Sequence, residues 1–555
     1  MDERALRWGV VPEYFGYTGD RVIAGDDAVG AVLESLGARR PNPPRAKQHD
    51  PPEGPCAPAP DRAWGWAVQL YALRSKDSWG VGDFGDLRRF GRWARRQGAS
   101  VLLLNPLGAQ TPTLPYEPSP YYSSSRRFLN TAYLRIEDVP GAERCAADLE
   151  PLRKAAQTLN ANRLIDYNQV FELKSKALKV IFRAAPKPRG LMAWIRGEGD
   201  ALLHFAGFNA LAETIGPAWR DWPEGLRGPD GDEVARSRAQ LQERVDFNQW
   251  LQFHLNRQLE VAATEIDLIA DVPLGFAADG FDAWRWQDLL APGMRVGAPP
   301  DEFFPDGQDW GVPAFDPWKL RAAGCEPFVE AIRSAARHAK GVRLDHVMSL
   351  FRLFWIPAGM TASQGVYVRY PHQQLLARLA EESRRSGAFV IGEDLGLVEP
   401  SVRRRLRKRG ALSYRLLWFE GAAPGRWPRE SVGAVGTHDL PTVAGIWNLT
   451  EPDHRLHRLR RPLQDVTRMR DAAPALDVAV AAYRALSRAR SRIVLAQLED
   501  ALGVEERPNV PGTTAEFPNW RLALPQPREE IERSIGARRI ATVMRRARRN
   551  LLPTA

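Results

Sequence analysis

The sequence has little cysteine and no long apolar run. Its three cysteines, Cys56, Cys145 and Cys325, are widely spaced among 555 residues and form no C-x-x-C pair, so neither a disulfide framework nor a structural zinc site is expected. No stretch approaches the roughly 18 apolar residues of a membrane helix. The start, MDERALRWGV, has charges where a secretory peptide has an apolar segment. We therefore expect a cytoplasmic protein without a membrane partner.

Motifs for nucleotides and catalytic metals are also absent. The sequence has no G-x-G-x-x-G after a strand, no G-x-x-x-x-G-K-[ST] and no H-E-x-x-H, so no cofactor is predicted. No acidic loop offers a ligand set for calcium. The net charge of +10 and the stretches HRLHRLRRPL and MRRARRN would suit a polyanion, but no nucleic-acid recognition motif accompanies them. We interpret them as solvated helix faces and expect no nucleic-acid partner, while the oligomeric state is not indicated.

Composition divides the chain into three parts. Residues 1–40 predict a small N-terminal extension, in which GDDAVGAVLESLGARR reads as one helix ending near Gly37. Residues 41–61 form a linker with eight prolines, which fix φ and remove backbone donors. Residues 62–555 are predicted to form the main domain, which is long enough for a large barrel with insertions.

Short apolar runs separated by long connections follow the linker, as in parallel strands joined by crossovers. The predicted strands are AVQLYAL (67–73), VLLLNPL (101–107), DLIADVP (267–273), VRLDHV (342–347), FVIGED (389–394), YRLLWF (414–419), AVGTHD (434–439) and a poorly marked eighth near WRLALP (520–525). Helical periodicity between the second and third runs predicts an inserted helical subdomain at about 140–265. The predicted fold is therefore α/β, a (β/α)₈ TIM barrel with helical insertions at the active-site face, which lies at the carboxyl ends of the strands.

Three of these runs end in acids, although carboxylates are depleted in strands and are costly to bury unpaired. The acids are Asp345, Glu393 (followed by Asp394) and Asp439. Each lies about one strand-to-strand crossover from the next, which places all three at one rim of the barrel. The layout is typical of a catalytic site; the alternative is a structural ion-pair network with Arg343 and His438.

Glycoside cleavage requires two carboxyl groups in opposite protonation states. Arg343 lies two residues before Asp345 on the same strand face, so its charge favours an ionised, nucleophilic Asp345. Glu393 closes the apolar run FVIG in the same pocket, which predicts a raised pKa and a general acid/base role. Asp439 is predicted to accept hydrogen bonds from sugar hydroxyls in the transition state.

The trio resembles that of the α-amylase superfamily, and the segments around it resemble the 4-α-glucanotransferases called amylomaltase or disproportionating enzyme. The resemblance extends over nearly the whole chain after the linker and rests on SPYYSSSRRFLN (119–130), DVPLGFAADGFDAW (271–284), GAPPDEFFPDGQDWG (297–311) and NVPGTTAEFPNWRLALP (509–525). It implies transfer of α-1,4-glucan segments between malto-oligosaccharides, with Asp345 as nucleophile, Glu393 as acid/base and Asp439 as transition-state stabiliser. The opening unit also resembles the N-terminal extension of larger bacterial members.

The same resemblance implies the sugar-binding residues. Tyr121 would stack on the sugar at the cleavage site, with Ser119, Arg343 and His438 as hydrogen-bonding partners. Residues 297–313 resemble a lid loop over the acceptor side, whose sugar-contacting positions are Asp301, Gln308 and Trp310. Phe303 or Phe304 could equally stack on sugar or fill the core. Glu302 departs from the Tyr found in some members, and LPT follows Asp439 where some have Asn and Asp, so acceptor preference stays open.

Two alternatives remain open from the sequence. A hydrolase would use the same carboxylates, because water exclusion and acceptor positioning decide between transfer and hydrolysis. A non-catalytic glucan-binding or nucleic-acid-binding protein would not require all three acids, although 18 tryptophans would suit sugar stacking. Donor length, formation of cyclic glucans and the role of the first forty residues are not indicated.

Overall fold

Eight parallel strands form a closed barrel at the centre of the protein. The structure is a computed structural model that describes residues 3–44, 54–302, 304–396, 398–513 and 516–549. The strands run Ala63–Val68 (β1), Val101–Leu104 (β2), Asp267–Val272 (β3), Gly341–Leu344 (β4), Phe389–Gly392 (β5), Leu412–Leu416 (β6), Ser431–Ala434 (β7) and Ile493–Gln497 (β8). They pair in chain order, and β8 closes on β1 through the register Ile493↔Ala63. The predicted TIM barrel is confirmed.

Apolar side chains from seven of the strands fill the barrel interior, including Leu103, Ile269 and Leu495. In β4 the inward position is occupied by Arg343, whose guanidinium lies 6.0 Å from the ring centre of Tyr414 on β6. Strands that are buried on both faces read as continuous apolar runs. The arginine is therefore a local exception to the pattern, and it lies directly below the acids at the strand ends.

Three strand predictions need correction. The eighth strand is Ile493–Gln497, whereas WRLALP makes only the isolated bridge Leu164↔Leu522. The sequence of this strand, IVLAQ, is short and directly follows an arginine-rich segment, so the apolar pattern there is weak. The first strand is Ala63–Val68 rather than 67–73, because its tryptophans pack on the helices and Leu70–Ala72 is a 3₁₀ turn. β7 ends at Ala434, so Asp439 lies in a loop.

Helices surround the barrel. Apart from two in the N-terminal extension, the α-helices lie in the segments that follow β1, β2, β3, β4, β5, β7 and β8. The connection from β6 to β7 has only the 3₁₀ turn Pro424–Arg426. The α-helices are Glu3–Arg7, Asp26–Ser35, Phe84–Arg96, Ala146–Thr158, Tyr167–Ala184, Leu191–Glu198, Asp200–Ile215, Asp232–Gln240, Gln242–Ala263, Phe281–Arg285, Pro317–Ala322, Glu326–Ala335, His372–Ser386, Pro400–Lys408, Val443–Trp447, Arg460–Thr467, Ala475–Leu486, Leu498–Leu502, Arg528–Ile531 and Ile535–Arg549. Six of them, from Ala146 to Ala263, occupy the segment expected to be an inserted subdomain.

A five-stranded antiparallel sheet lies beside the barrel. Its order is Val10–Val11, Val366–Arg369, Arg352–Pro357, Leu290–Ala298 and Gln308–Phe315. The last two strands are the arms of the predicted lid, while the first comes from the N-terminal extension. The extension, expected as a separate unit, thus shares a sheet with the predicted lid.

The remaining N-terminal features fit around this sheet. Helix Asp26–Ser35 lies where the helix of the extension was predicted, but its N-terminal residue Gly25 gives no side-chain cap. The hairpin Glu13–Phe15 with Arg21–Ile23 packs on the sheet through Tyr14, whose ring contacts those of Phe354 and Tyr367. Of the predicted linker, residues 45–53 lie outside the described part of the chain, whereas Cys56 N–H donates to the Arg409 carbonyl at 2.7 Å. All three cysteines are buried and unpaired. Across the described residues, no helix is long and apolar enough to cross a membrane.

Candidate active site

The carboxyl ends of the barrel strands open into one wide cleft. Asp345, Glu393 and Asp439 all line it, together with the loop after β2, the hairpin of the predicted lid and residues from 509–513 and 517–521. The cleft has a volume of about 1050 Å³, just above the roughly 300–1,000 Å³ that is typical of small-molecule pockets. It therefore has room for an extended ligand.

Asp345 is the first residue after β4, and its backbone N–H donates to the Val272 carbonyl at the end of β3 (3.1 Å). Arg343 Nη2 lies 3.2 Å from Asp345 Oδ1, while Arg343 Nη1 contacts both carboxylate oxygens of Asp271 at 2.7 Å. Burial raises the pKa of Asp345 to about 6 and outweighs the lowering by Arg343. Burial, together with the nearby Asp271 carboxylate, makes Asp345 less acidic than the sequence predicts, while a pKa of about 6 still leaves it mostly ionised at neutral pH.

Glu393 follows β5 and is held by two backbone donors. Its Oε2 accepts from His346 N–H at 3.0 Å, and its Oε1 accepts from Leu395 N–H at 2.7 Å. Burial raises the pKa of Glu393 to about 7; Arg343 opposes this shift and the neighbouring Asp345 adds to it. The direction is the one predicted from the apolar run and the shared pocket.

Asp439 has a more polar environment than the other two acids. Its Oδ2 lies 3.1 Å from His438 Nε2, and its Oδ1 accepts from Asn509 Nδ2 at 2.6 Å. Burial acts to raise the pKa of Asp439, but His438 and Asn509 together lower it. The His438 pKa is raised, because the attraction of Asp439 exceeds the effect of burial. The pair therefore favours an ionised carboxylate at the cleft wall.

Tyr121 forms a flat aromatic surface in the cleft. Its ring centre lies 5.0 Å from that of His438 and 5.1 Å from that of Trp520, and its hydroxyl donates to Asp271 Oδ2 at 2.6 Å. Ser119 also lines the cleft, and its Oγ accepts from Tyr121 N–H at 3.3 Å. These contacts fix the ring in one orientation, with Asp271 joining Tyr121 to Arg343.

The hairpin predicted to be a lid contributes two of its three predicted sugar-binding residues to the cleft. Gln308 and Trp310 line it, with Trp310 Nε1 donating to Gln308 Oε1 at 3.2 Å. Asp301 is not part of the lining; its Oδ1 accepts from Phe304 N–H at 2.7 Å and shapes the tip of the loop. Phe304 packs against Gly512, and Phe303 lies outside the described residues. Glu302 forms an exposed ion pair with Arg458.

The sequence predictions omit three residues of this site: Asp271, Asn509 and Trp520. Asp271 could have been found, because it is an acid within a buried strand and meets the same desolvation argument as the three predicted acids. Asn509 and Trp520 carry no comparable signal, since their contacts join residues about seventy or more positions apart. Among the residues that the structure describes, no group of three or more His, Cys, Asp or Glu side chains could hold a metal ion.

Comparison with known proteins gives consistent results. The sequence profile of a family described as 4-alpha-glucanotransferase matches residues 68–527. A 4-alpha-glucanotransferase of Mycobacterium tuberculosis (strain ATCC 25618 / H37Rv) is 40% identical over 523 residues, which cover 84% of this chain and 72% of that protein. One of Haemophilus influenzae is 32% identical over 533 residues, covering 84% of this chain and 76% of that protein.

A solved structure shares the architecture over almost its whole length. The amylomaltase from Corynebacterium glutamicum superimposes with a TM-score of 0.85 at 25% sequence identity. The match covers 98% of this chain and 99% of that chain. The similarity therefore includes the N-terminal extension as well as the barrel.

Proposed function

Since the chain belongs to the 4-alpha-glucanotransferase family, we propose that it transfers α-1,4-glucan segments from a donor to the 4-hydroxyl of an acceptor glucan or glucose. The reaction proceeds by retaining double displacement on Asp345, Glu393 and Asp439. The observation that carries these assignments is that the three carboxylates line one cleft with three different electrostatic environments. The substrates are α-1,4-glucans and malto-oligosaccharides.

In the first displacement, the Asp345 carboxylate attacks the anomeric carbon of the donor and forms a covalent glycosyl ester. The glycosidic C–O bond breaks as the Glu393 carboxyl gives its proton to the departing oxygen, which leaves as the 4-hydroxyl of the released fragment. In the second, ionised Glu393 removes the proton from the acceptor's 4-hydroxyl, whose oxygen attacks the same carbon and expels Asp345. Two inversions give overall retention.

The electrostatics support this division of roles. A pKa of about 7 leaves much of Glu393 protonated near neutral pH, as a general acid requires, while Asp345 with a pKa of about 6 is mostly ionised. Asp439 has the lowest proton affinity of the three and is held by His438 and Asn509. A fixed carboxylate there can accept hydrogen bonds from sugar hydroxyls that strengthen as the ring approaches the oxocarbenium-like transition state.

Substrate positioning falls to the aromatic and amide groups of the cleft. Tyr121 supplies a stacking surface whose orientation is set by Asp271 and His438. Gln308 and Trp310 line the cleft and are assigned to the acceptor side, and Asp301 contributes by shaping the tip of the same hairpin. Between turnovers Arg343 pairs with Asp345, and His438 pairs with Asp439. A cytoplasmic location fits the three buried, unpaired cysteines.

Incubation of the purified protein with maltotriose tests the reaction. Disproportionation is expected to release glucose together with a ladder of longer oligosaccharides, both measurable by chromatography. Glucose and maltose without longer products would favour the alternative, an α-glucan hydrolase with the same carboxylates. No change in maltotriose would leave glucan binding without catalysis.

The pH dependence of kcat/KM is expected to be bell-shaped and narrow. Activity rises as Asp345 loses its proton near pH 6 and falls as Glu393 loses its proton near pH 7. Initial rates of glucose release between about pH 4.5 and 9 measure both limbs. An alkaline limb that stays flat to pH 9 would contradict the role of Glu393 as the proton donor.

A further inference from the structure

The position of Asp439 is set by a loop that comes from another barrel strand. Asp439 lies five residues beyond the end of β7, so no strand pairing holds it. The loop after β8 supports it instead: Asn509 N–H donates to the His438 carbonyl at 3.1 Å, and Asn509 Nδ2 donates to Asp439 Oδ1 at 2.6 Å. Arg507 Nη1 donates to the Asp439 carbonyl at 2.8 Å.

Arg507 is itself fixed by a buried acid, Glu451. The Arg507 Nη2 and Glu451 Oε1 atoms are 3.1 Å apart, and the residues are only 6% and 2% exposed. Glu451 is anchored just beyond the helix Val443–Trp447, which follows β7. Its N–H donates to the Gly445 carbonyl at 3.2 Å, and the Glu451 carbonyl lies 2.8 Å from His457 Nε2. The ion pair therefore joins the loop after β7 to the loop after β8, directly behind Asp439.

The pair is a poor source of stability. Glu451 Oε2 and Arg507 Nε are buried without a hydrogen-bond partner, so each charge is only partly compensated for the loss of water. A buried ion pair of this kind is often no more stabilising than apolar side chains of similar volume. What it provides is a rigid, directed donor to one backbone carbonyl, because the planar guanidinium can contact Glu451 and Asp439 at the same time.

We propose that Glu451 and Arg507 are positioning residues for the reaction, which hold Asp439 in the orientation that stabilises the transition state. The inference rests on the proposed function. Neither residue touches the substrate: Arg507 acts through the backbone of Asp439, and Glu451 acts through Arg507. Loss of the pair lowers the rate of the chemical step and leaves ground-state binding of the glucan intact.

The double variant E451M/R507M tests this role, because it replaces both charges by apolar side chains and leaves no unpaired charge in the interior. With maltotriose, kcat is expected to fall on the order of 10- to 100-fold, as for small displacements of a catalytic group, and KM to stay within about twofold. The conservative variant R507K is expected to lose less, because one ammonium group can still donate to the Asp439 carbonyl.

The matched control is R285M/E330M. Arg285 and Glu330 form a half-buried ion pair, with contacts of 2.6 and 2.9 Å, and they lie outside the cleft lining. Glu330 also pairs with Arg127 at 3.0 Å, but Arg127 keeps its contact with Glu198 at 3.3 Å when Glu330 is replaced. This control is expected to retain kcat and KM, with a change in Tm similar to that of E451M/R507M.

The outcomes separate the two levels of inference. A wild-type protein that disproportionates maltotriose and a double variant with unchanged kcat would overturn the positioning role alone. Equal losses of kcat in both double variants would overturn it as well, since the effect would then be a general loss of rigidity. A wild-type protein that does not act on maltotriose would overturn the proposed function and the positioning role with it.

Discussion

Asp345→Asn is expected to lower kcat for maltotriose by roughly 10⁴- to 10⁶-fold, the scale of effect seen when a nucleophile is removed. The amide has nearly the shape of the carboxylate but cannot form the glycosyl ester. Arg343 keeps its two contacts with Asp271 in this variant, so we expect the side chains below the cleft to keep their positions. Initial rates of glucose release, measured over long incubations, give the magnitude.

Two measurements make the Asp345→Asn result specific. Binding of a malto-oligosaccharide by calorimetry is expected to persist, because only the nucleophile's charge is lost. The control is Asp500→Asn, which alters a fully buried carboxylate just after β8 that accepts hydrogen bonds from the Tyr483 hydroxyl and from Val443 N–H. This variant should retain most of its kcat. Near-normal turnover by Asp345→Asn would remove Asp345 from the mechanism.

Glu393→Gln is expected to slow maltotriose turnover by roughly 10²- to 10⁴-fold, the usual contribution of general acid–base catalysis. The loss should be much smaller with a glucosyl or maltosyl fluoride as donor, because fluoride departs without a proton. Rates with both donors, measured in parallel on the wild type and the variant, give the two ratios.

The pH profile provides a second check on Glu393. With the fluoride donor, formation of the covalent intermediate by the variant is expected to lack the fall above pH 7, since the group with a pKa of about 7 is gone. Equal losses with both donors would argue that Glu393 shapes the cleft and does not transfer the proton.

The acids at the strand ends were predictable because local physics marks them. A carboxylate at the end of an apolar run is costly unless it has a function or a partner, and this rule identifies Asp345 and Glu393 without any knowledge of the fold. The same rule applies to Asp271, which lies inside the run DLIADV and changes the electrostatics by sharing Arg343. Burial and then Asp271 raise the pKa of Asp345, so Arg343 as the only neighbour considered could not predict its acidity.

Other features depend on contacts that no local pattern records. β8 is a five-residue run between an arginine-rich segment and an acidic helix start. No residue pattern next to it indicates that it pairs with β1, which lies more than 400 residues earlier. The support of Asp439 by Asn509 and Arg507 likewise joins two loops that only barrel closure brings together. The strand of the extension consists of only two valines, which do not predict a strand unless the partner strand Val366–Arg369 is known.

That strand has a consequence for the solution behaviour of the protein. Val10 and Val11 cover the backbone of Val366–Arg369, which would otherwise be the edge of the five-stranded sheet. An uncovered edge presents a row of unpaired N–H and C=O groups and invites strand addition by a second copy. The short extension therefore covers this edge, and we expect a protein shortened past Val11 to aggregate more readily, even with Asp345, Glu393 and Asp439 intact.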